Sequence, residues 1–459
     1  AACGGGGGGS DSGTSSSGGS SGGGKPPPPT GPLYVVGSAP LPSGATRVAS
    51  LAAVPWATLP AGSEVLGAPG TWSGVTSITS VGTAAAPIVV TAADTANPPV
   101  LSNSVDFQGA AYVQVSHVTV QSPAFAGFVI RLGSNHISVT DATISHAPLG
   151  ISITDAAGTG HRLLRNLISD STTHGISVDV NADPAERTLI EHNTIVRSGQ
   201  HGMEIRASHY EIEHNLVSAS GQASGGTSGI HLYSGSSAED SGDDNLVRWN
   251  MSYANKDTVA VDGNGTEVDQ WCDGNTVAYN VAWGNDGAGI IVFDGSDNVV
   301  EGNTAYGNGL DPSRTHVALG QLIVSGTSAA TVTGNHVWNN LAASTLAGVP
   351  AIYIDSRAVS GGNTVGPNLY ANAAGGTLLR WTDSATRQTA TLIDATTASV
   401  GNVTGVPAFA DIANPLAGGL RLTAQPARPG TAPAAGDVDF LGTAVQAGWP
   451  SLGAYWTTP

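Results

Sequence analysis

The sequence has little charge, few aromatic residues and almost no cysteine. Of its 459 residues, 11% are charged and 5% are aromatic, and the cysteine count is 2. Two cysteines cannot form a disulfide-rich scaffold. The net charge of −18, from 16 basic and 34 acidic residues, argues against binding to nucleic-acid phosphates. No run of about 18 apolar residues occurs, so the sequence predicts no membrane-spanning helix.

The sequence is rich in glycine, with 63 copies, and contains 26 prolines. Both residues disfavour the interior of α-helices, and strong helix formers are scarce. The composition therefore predicts a chain of strands and turns rather than of helices.

The first 33 residues differ in composition from the rest. Residues 4–24 are almost all Gly, Ser or Thr, and prolines follow at residues 26–29. Such a segment cannot bury apolar surface, so we expect a flexible tether over residues 1–33. The opening Ala-Ala-Cys-Gly resembles the end of a bacterial lipoprotein signal. The resemblance implies that Cys3 carries a lipid and anchors the chain as an outer-membrane lipoprotein of the bacterial envelope.

Segments farther along share a pattern of alternating apolar residues, an asparagine and a second short alternating run. They are TLIEHNTIVRSG, YEIEHNLVSASG, NLVRWNMSYANK, NTVAYNVAWGND, NVVEGNTAYGNG and ATVTGNHVWNNL. Their shared asparagines are Asn193, Asn215, Asn250, Asn280, Asn303 and Asn335. Between these segments recurs a second pattern, such as GISVD, GMEIR and GIHLY, with apolar residues at alternate positions. A period of two predicts short strands with one buried face.

Stacked strands of this kind predict an all-β fold, a single right-handed parallel β-helix over residues 34–400. The irregular spacing of the asparagines fits turns with constant strands and loops of variable length. The asparagines themselves would form an internal ladder, in which each side chain bonds to the next turn and satisfies buried backbone groups.

Residues 55–92 and the segment from Pro407 to Trp456 resemble the opening coil and the closing segment of secreted, pectate-lyase-like β-helix proteins. The resemblance implies an N-terminal cap and a closing segment, over residues 401–459, that packs on the β-helix. It also implies a protein that acts on polysaccharides. That superfamily contains polysaccharide lyases, uronan epimerases, glycoside hydrolases and noncatalytic adhesins, and a shared fold does not choose among them.

The outward positions of the second pattern predict a polar cluster on one face of the β-helix. Its members are Asp179, Glu204, Arg206, His231, Tyr233 and Asp262. Histidine titrates near neutrality, and tyrosine can exchange protons when a cation is close. Lys256, one of two lysines in the sequence, is a further candidate base. A solvated polar face without a catalytic role is the simpler alternative.

Other residues are candidates for binding. The candidates for contact with a substrate are Arg248, Trp271, Phe293 and Tyr353. Asp240, Asp243 and Asp244 lie in an acidic loop, and oxygen-rich loops can bind Ca²⁺. Their spacing matches no EF-hand, so calcium is a weak expectation.

Three functions are consistent with these residues. The favoured one is a lyase or C5-epimerase on a uronic-acid-containing polysaccharide, in which Arg206 neutralises the substrate carboxylate while His231 and Tyr233 move the C5 proton. The second is a glycoside hydrolase on an exopolysaccharide that uses Asp179 and Glu204. Strand spacing puts the Cβ atoms of these residues about 8 Å apart, near the separation of the two carboxyl groups in inverting enzymes. The third is a noncatalytic carbohydrate-binding surface protein. In each case the partner is a polysaccharide, and the absence of an oligomerisation signal predicts a monomer.

Overall fold

The computed structural model describes residues 31–313, 319–382, 385–424, 438–443 and 452–455. Within these residues the chain forms one parallel β-helix, in which three long sheets are built from strands of successive turns. The strands pair in parallel, and the one antiparallel strand pair in the described part joins Leu379–Trp381 to Ala385–Arg387. Residues 1–30 of the predicted tether, with Cys3, lie outside the described residues.

Sheet 1 has 14 strands, and sheets 2 and 3 have 13 each. The strands of sheet 1 are Thr46–Val48, Leu33–Val36, Glu64–Gly67, Ile88–Ala92, Val113–Ser116, Ser138–Thr140, Arg162–Leu164, Thr188–Glu191, Tyr210–Glu213, Leu246–Arg248, Thr276–Ala278, Val299–Glu301, His336–Trp338 and Thr364–Val365. Those of sheet 2 are Thr71–Trp72, Val100–Leu101, Thr119–Gln121, Thr143–Ser145, Leu167–Ser169, Thr194–Val196, Leu216–Ser218, Met251–Tyr253, Val281–Trp283, Thr304–Tyr306, Leu341–Ser344, Leu369–Asn372 and Val403–Thr404. Those of sheet 3 are Thr76–Ile78, Val105–Gln108, Ala126–Arg131, Leu149–Ile153, Ile176–Val178, Met203–Ile205, Ile230–Leu232, Thr266–Val268, Ile290–Phe293, Leu322–Ser325, Ile352–Ile354, Leu379–Trp381 and Ala385–Arg387.

Helices are short and few in this part of the chain. The α-helices span Ser356–Ser360 and Ala390–Thr397, and the 3₁₀-helices span Leu51–Ala53, Trp56–Thr58 and Pro415–Ala417. Among the described helices, none combines the length and the apolar character needed to cross a membrane. The predicted all-β architecture is confirmed.

The inward side chains of each sheet form an aliphatic stack along the axis. In sheet 3, Ile151, Ile176, Met203 and Ile230 occupy the same register on consecutive turns, and all are fully buried. Burial of one such side chain contributes roughly 1.5–3 kcal/mol. The stack therefore determines which residues of sheet 3 point outward, because a shift by one residue would expose every apolar side chain.

A glycine directly precedes five consecutive strands of sheet 3, from Ile176–Val178 to Ile290–Phe293, because the chain there passes too close to its neighbours to accommodate a Cβ atom. At Gly202 a Cβ would lie 2.2 Å from Val217 Cγ1 and 2.6 Å from the carbonyl oxygen of Gly229. The glycine that opens a pattern such as GMEIR is therefore a packing requirement, and it marks where each strand begins.

The predicted asparagine ladder is confirmed. Asn215 donates from its backbone N–H and from Nδ2 to Asn250 Oδ1, at 3.0 Å each, and Nδ2 also donates to the Ile190 carbonyl. The ladder runs through Asn166, Asn193, Asn215, Asn250, Asn280, Asn303, Asn340, Asn368 and Asn402. It satisfies backbone groups that no other partner reaches at these buried turns.

The assignment of Asn335 to this ladder is wrong. Asn303 donates to Asn340 Oδ1 instead, at 3.0 Å. Asn335 belongs to a second ladder, in which it accepts from Asn298 and donates to Asn363. Because these turns carry asparagine on both sides of a strand, the two alignments match the repeat equally well.

The outer face of sheet 2 is covered by the C-terminal segment. Ala343 and Ala371 pack with Leu422 and Leu452 in one apolar cluster. At the other end of the β-helix, Trp56 and its neighbours are buried against the core. The outer face of sheet 3 is the one that presents polar side chains to a cleft.

Candidate active site

Two rows of outward side chains form the site on sheet 3. In the first row, Glu204, His231 and Glu267 lie opposite one another on neighbouring strands. The second row, two residues farther along the chain, contains Asp179, Arg206, Tyr233 and Asp269. The rows include every member of the predicted cluster except Asp262.

The predicted position of Asp262 is wrong. Residues 258–262 form a loop rather than a strand. The Asp257 carboxylate causes this, because it accepts hydrogen bonds from the backbone N–H groups of Val259 and Val261, at 2.8 and 3.0 Å. A strand would have carried those N–H groups to a neighbouring turn instead.

The strand of this turn is Thr266–Val268, and the sequence analysis did not predict this strand or the outward positions of Glu267 and Asp269. Gly265 stands before it, as Gly229 and Gly289 stand before the strands on either side. That glycine was the available signal. The polar side chain of Thr266 at an inward position broke the apolar alternation and hid the strand.

His231 lies at the centre of the cluster between two carboxylates. Its Nδ1 is 2.7 Å from Glu204 Oε2, and its Nε2 is 3.3 Å from Asp269 Oδ2. The imidazole ring also stacks on that of His201, with 4.2 Å between centroids and 5° between planes. Both nitrogens of His231 are thus engaged before any substrate arrives.

His201 has its hydrogen on a defined nitrogen. The backbone N–H of Ser228 donates to His201 Nδ1 at 3.1 Å, so this nitrogen carries no hydrogen. The other nitrogen, Nε2, therefore carries it and lies 3.4 Å from Glu204 Oε2. Burial, together with the nearby charge of His231, moves the pKa of His201 well below its usual value.

The same contacts shift the pKa values of Glu204 and His231. Burial disfavours the charged form of Glu204, but the charge of His231 and its hydrogen bond outweigh this and lower the pKa of Glu204 to about 2. For His231 burial acts downward, but the charge of Glu204 and hydrogen bonds to Asp269 and Glu204 raise its pKa well above the usual value. In the absence of other ligands, Glu204 is an anion and His231 a cation at neutral pH.

Glu267 lies beneath this pair and is only 3% exposed. Its Oε2 accepts hydrogen bonds from Ser228 Oγ at 2.5 Å and from Asn264 Nδ2 at 3.0 Å. Burial and the charge of Asp269 raise the pKa of Glu267. The site thus holds three carboxylates around one imidazole.

Tyr233 and Arg206 form the outer part of the cluster. The Tyr233 ring stacks against His231, with 5.6 Å between ring centroids. The Arg206 guanidinium lies over the Tyr233 ring, 5.3 Å from its centroid, and is 3.9 Å from Glu239. The phenol thus contacts both the guanidinium and the imidazole of His231.

A cleft of about 800 Å³ opens beside Asp179, Glu204 and Arg206, and we call it the sheet-3 cleft. His231 and Tyr233 are not among the residues that line it. It is lined by Asp179, Glu204, Arg206, Glu239 and Asp240 among others. A second hollow of about 590 Å³ continues it toward the N-terminal turns, and both are lined by Ser177 and Asp179.

The lining of both hollows is acidic. Carboxylates come from Asp106, Asp155, Asp179, Glu204, Glu239 and Asp240, and guanidinium groups from Arg131 and Arg206. Arg131 is moreover paired with Asp106 at 2.7 Å. Negative charge therefore dominates the surface that a substrate would meet.

Asp179 stands on the turn before Glu204 and lines both hollows. Its Oδ2 accepts a hydrogen bond from Thr154 Oγ1 at 3.1 Å. Desolvation raises the pKa of Asp179, although the hydrogen bond from Thr154 opposes this. The pKa values of Asp179 and Glu204 are thus shifted in opposite directions.

Two predicted site residues lie elsewhere. Lys256 pairs with Asp286 at 2.8 Å and is not among the residues that line the two hollows. Arg248 belongs to sheet 1, where it pairs with Glu213 and lies over the Trp249 ring. The prediction that Arg248 contacts a substrate beside the cluster is therefore wrong, because the sequence could not tell sheet 1 from sheet 3.

The predicted aromatic contacts lie beyond the cluster. Trp271 follows the strand Thr266–Val268 in a turn, with a φ of 57°. Phe293 and Tyr353 are on the outer face of sheet 3, in a small apolar cluster with Ile291 and Ile323. Tyr353 is 5% exposed, so little of its ring is open to a sugar.

The acidic loop borders the cleft through Asp240. Asp243 instead points toward a neighbouring turn, where it accepts the Asp273 N–H at 2.7 Å. Three ligand atoms within 4.8 Å of one another occur in the described chain at His201, Glu204 and His231 and at His231, Glu267 and Asp269. They do not occur at Asp240, Asp243 and Asp244, so calcium at this loop stays a prediction.

A family model described as the right handed beta helix region matches residues 103–268 and 252–369, which together make up more than half of the chain. The chain therefore belongs to this family, and the predicted handedness and fold are confirmed. No curated protein sequence matches it.

Solved structures resemble the chain at low sequence identity. A PL6 family alginate lyase, AlyGC, is 14% identical with a TM-score of 0.50, covering 87% of this chain and 56% of that one. A GH136 lacto-N-biosidase from Eubacterium ramulus is 13% identical with a TM-score of 0.50, covering 76% and 68%. Pectate lyase Pel9A is 14% identical with a TM-score of 0.48, covering 92% and 95%. The likeness to AlyGC and to the lacto-N-biosidase shows a shared fold and nothing more.

Proposed function

We propose that the chain is an enzyme that acts on a polysaccharide bound along the sheet-3 cleft, and that it is a glycoside hydrolase. The proposal rests on Asp179 and Glu204, which line the same cleft with pKa values shifted in opposite directions. Two carboxylates with separated pKa values are the usual machinery of glycoside hydrolysis. The glycan-acting enzymes that share the fold support a polysaccharide substrate.

Asp179 is the proton donor in this proposal. Its raised pKa keeps a larger share of the side chain protonated, and it is exposed to the cleft. It would give its proton to the glycosidic oxygen as the bond from that oxygen to the anomeric carbon breaks. Glu204, which stays ionised, would stabilise the positive charge that develops at the anomeric carbon.

Water completes the reaction. A water molecule that donates a hydrogen bond to Glu204 would attack the anomeric carbon, and its proton would leave through that carboxylate. Strand spacing places the Cβ atoms of Asp179 and Glu204 about 8 Å apart. A carboxyl separation near that value would leave room for such a water and favour inversion at the anomeric carbon. The acidic lining of the cleft favours a neutral or weakly charged polysaccharide over a polyanion.

A lyase or C5-epimerase acting on a uronic-acid polymer is the second candidate, and the pairing of Tyr233 with Arg206 favours it. Arg206 would neutralise the uronate carboxylate, and the Tyr233 oxygen would take the C5 proton. In a lyase the C4–O4 bond then breaks, a C4–C5 double bond forms, and the departing oxygen takes a proton. In an epimerase C5 instead regains a proton on its opposite face.

One experiment separates these candidates. Purified full-length protein is incubated with neutral and acidic polysaccharides while reducing ends and the ultraviolet absorbance of unsaturated sugars are followed together. New reducing ends without absorbance support the hydrolase, and both signals together support the lyase. Deuterium incorporation from heavy water without chain cleavage supports the epimerase. Binding without any of these signals would leave a noncatalytic carbohydrate-binding protein.

Matched variants extend that experiment. Asp179→Asn should abolish hydrolysis but leave a Tyr233-dependent elimination largely intact. Arg206→Gln should have the reverse effect. Arg197→Gln serves as a control, because Arg197 pairs with Asp170 outside the residues that line the cleft.

The composition of residues 4–24 supports a tethered enzyme. We propose that Cys3 is lipidated and holds the enzyme, as a monomer, at the outer membrane of a bacterial envelope. Mass spectrometry of the Cys3 peptide from native membranes would test this. An unmodified cysteine in that peptide would count against the anchor.

A further inference from the structure

We propose that His231, Glu267 and Asp269 form a binding site for a divalent transition-metal ion, such as Zn²⁺ or Mn²⁺, at the floor of the site. The ligand atoms of these three residues lie within 4.8 Å of one another. The inference concerns the chain's own ligands and is independent of which reaction the cleft performs.

The charge of the cluster calls for a cation. Glu204, Glu267 and Asp269 all face His231. The side chain of Glu204 is 13% exposed, and Glu267 is 3% exposed. His201 is a neutral neighbour, because its Nδ1 accepts a backbone N–H. One imidazole cannot balance three carboxylates in a poorly solvated place. A bound divalent ion would reduce this excess of negative charge.

His231 is oriented as a metal ligand. Its Nδ1 donates to Glu204 Oε2 at 2.7 Å, which leaves Nε2 directed at Asp269. Histidines that bind metals commonly donate their other ring N–H to a carboxylate, which fixes the ring and increases its basicity. Glu204 would therefore be the supporting residue of the site, and metal binding would release the Nε2 proton.

The separation of His231 and Asp269 fits two ligands of one ion. Nε2 and Oδ2 are 3.3 Å apart, which is long for a hydrogen bond. Two donors at about 2.1 Å from a shared metal ion lie roughly 3.0–3.4 Å apart, depending on the coordination angle. The observed distance falls in that range.

Glu267 is held in place by two donors on one oxygen. Ser228 Oγ and Asn264 Nδ2 both bond to Oε2. The carboxylate is thereby fixed in orientation, and its Oε1 is the oxygen left for a metal ion. Such support of a ligand by a surrounding hydrogen-bond network is typical of metal centres.

The neighbouring set of His201, Glu204 and His231 is a poorer metal site. Glu204 Oε2 and His231 Nδ1 are only 2.7 Å apart, a direct hydrogen bond with no room for an ion. His201 Nε2 carries a hydrogen because Nδ1 accepts the Ser228 N–H. The geometry thus selects the set that faces Asp269.

One imidazole with two carboxylates also indicates the kind of metal. Calcium and magnesium prefer oxygen ligands alone, whereas an imidazole suits zinc and other first-row transition metals. Three protein ligands leave positions for water or a substrate oxygen. The proposed ion is therefore distinct from the calcium predicted at the acidic loop.

The test is metal binding by the full chain without any substrate. Protein stripped with a chelator is titrated with ZnCl₂ and MnCl₂ by calorimetry, and retained metal is counted by elemental analysis after dialysis. The cobalt-loaded protein is examined for visible absorption bands shifted from those of aqueous Co²⁺. We expect one ion per chain and bands consistent with nitrogen and oxygen ligands.

Variants locate the ion. Asp269→Asn and Glu267→Gln should each weaken binding by more than roughly 10-fold, and Glu204→Gln by about 10-fold through loss of the supporting hydrogen bond. Asp286→Asn and Asp240→Asn are matched controls that should bind as the wild type does. Circular dichroism verifies that each variant is folded.

Two results would overturn the site. One is a wild-type chain that binds neither ion, in which case protons alone neutralise the cluster. The other is a stoichiometric ion whose affinity is unchanged in folded Asp269→Asn and Glu267→Gln proteins. Neither result depends on finding a polysaccharide substrate, so failure of the proposed hydrolase would be seen separately.

Discussion

Asp179 and Glu204 lie on adjacent turns and line one cleft, yet their environments shift their pKa values in opposite directions. The difference comes from their partners. Glu204 is bonded to His231, whose positive charge favours the carboxylate, whereas Asp179 has a neutral hydroxyl donor in Thr154. A pair of this kind allows one side chain to give a proton while the other remains an anion.

Hydrolysis should therefore depend on the protonated form of Asp179. Because its pKa is raised, activity should be present at acidic pH and should be lost as the pH rises through that pKa. Asp179→Asn should lower kcat by about 100-fold or more. The measurement is the release of reducing ends across the pH range for both proteins. An unchanged kcat in the folded variant would exclude Asp179 as the proton donor.

Tyr233→Phe distinguishes the second candidate. Loss of the phenol oxygen should lower the rate of elimination or epimerisation by roughly 100-fold or more. The rate of hydrolysis by the two carboxylates should change little. The ring contacts with His231 and Arg206 remain, so the fold should be unaffected. Tyr253→Phe, on sheet 2, is the matched control. Full lyase activity in Tyr233→Phe would show that another group moves the C5 proton.

The fold could be predicted from the sequence because its signals recur on every turn. The place of Asn250 in the ladder and the glycine before five consecutive strands of sheet 3 are repeated packing requirements. The prediction of the site depends on single turns, where one break in the alternation of apolar residues is enough to misplace a strand. Hydrogen bonds from the backbone to Asp257 hold residues 258–262 in a loop. The polar side chain of Thr266 interrupts the apolar alternation, so the strand that carries Glu267 and precedes Asp269 was not predicted.

The sequence also could not assign each strand to one of the three sheets. Arg248 and Glu204 both occupy outward strand positions, but they belong to different sheets. Alternation along a strand distinguishes inward from outward and carries no information about which face of the β-helix a strand belongs to. The partners of His231 likewise come from turns whose loop lengths vary, so their distances required the structure.

The asparagine ladder should contribute strongly to stability. Asn250→Ala would leave Asn215 without its acceptor and the Ile212 carbonyl without its donor, in a fully buried position. Each unsatisfied buried group costs about 1–3 kcal/mol, so we expect a loss of at least about 2 kcal/mol in urea unfolding. Gln222→Ala, at an exposed side chain, is the control and should lie within about 0.5 kcal/mol of wild type. Equal stability of the two variants would contradict the role of the ladder.

Asp243 should make the fold less stable at neutral than at acidic pH. Desolvation raises its pKa to about 6, and the charges of Asp273, Asp240 and Asp244 act in the same direction. A carboxyl whose folded-state pKa is raised stabilises the fold below its unfolded pKa, and this contribution is lost as the pH rises through the folded value.

Asp243→Asn tests that dependence. The amide oxygen can still accept the Asp273 N–H, but it carries no charge. The variant should be more stable than wild type by about 1–2 kcal/mol at pH about 7.5, and the difference should vanish near pH 4. Urea unfolding at both pH values measures it. A difference that is constant with pH would show that the substitution acts through packing, because the titrating group that it removes is Asp243.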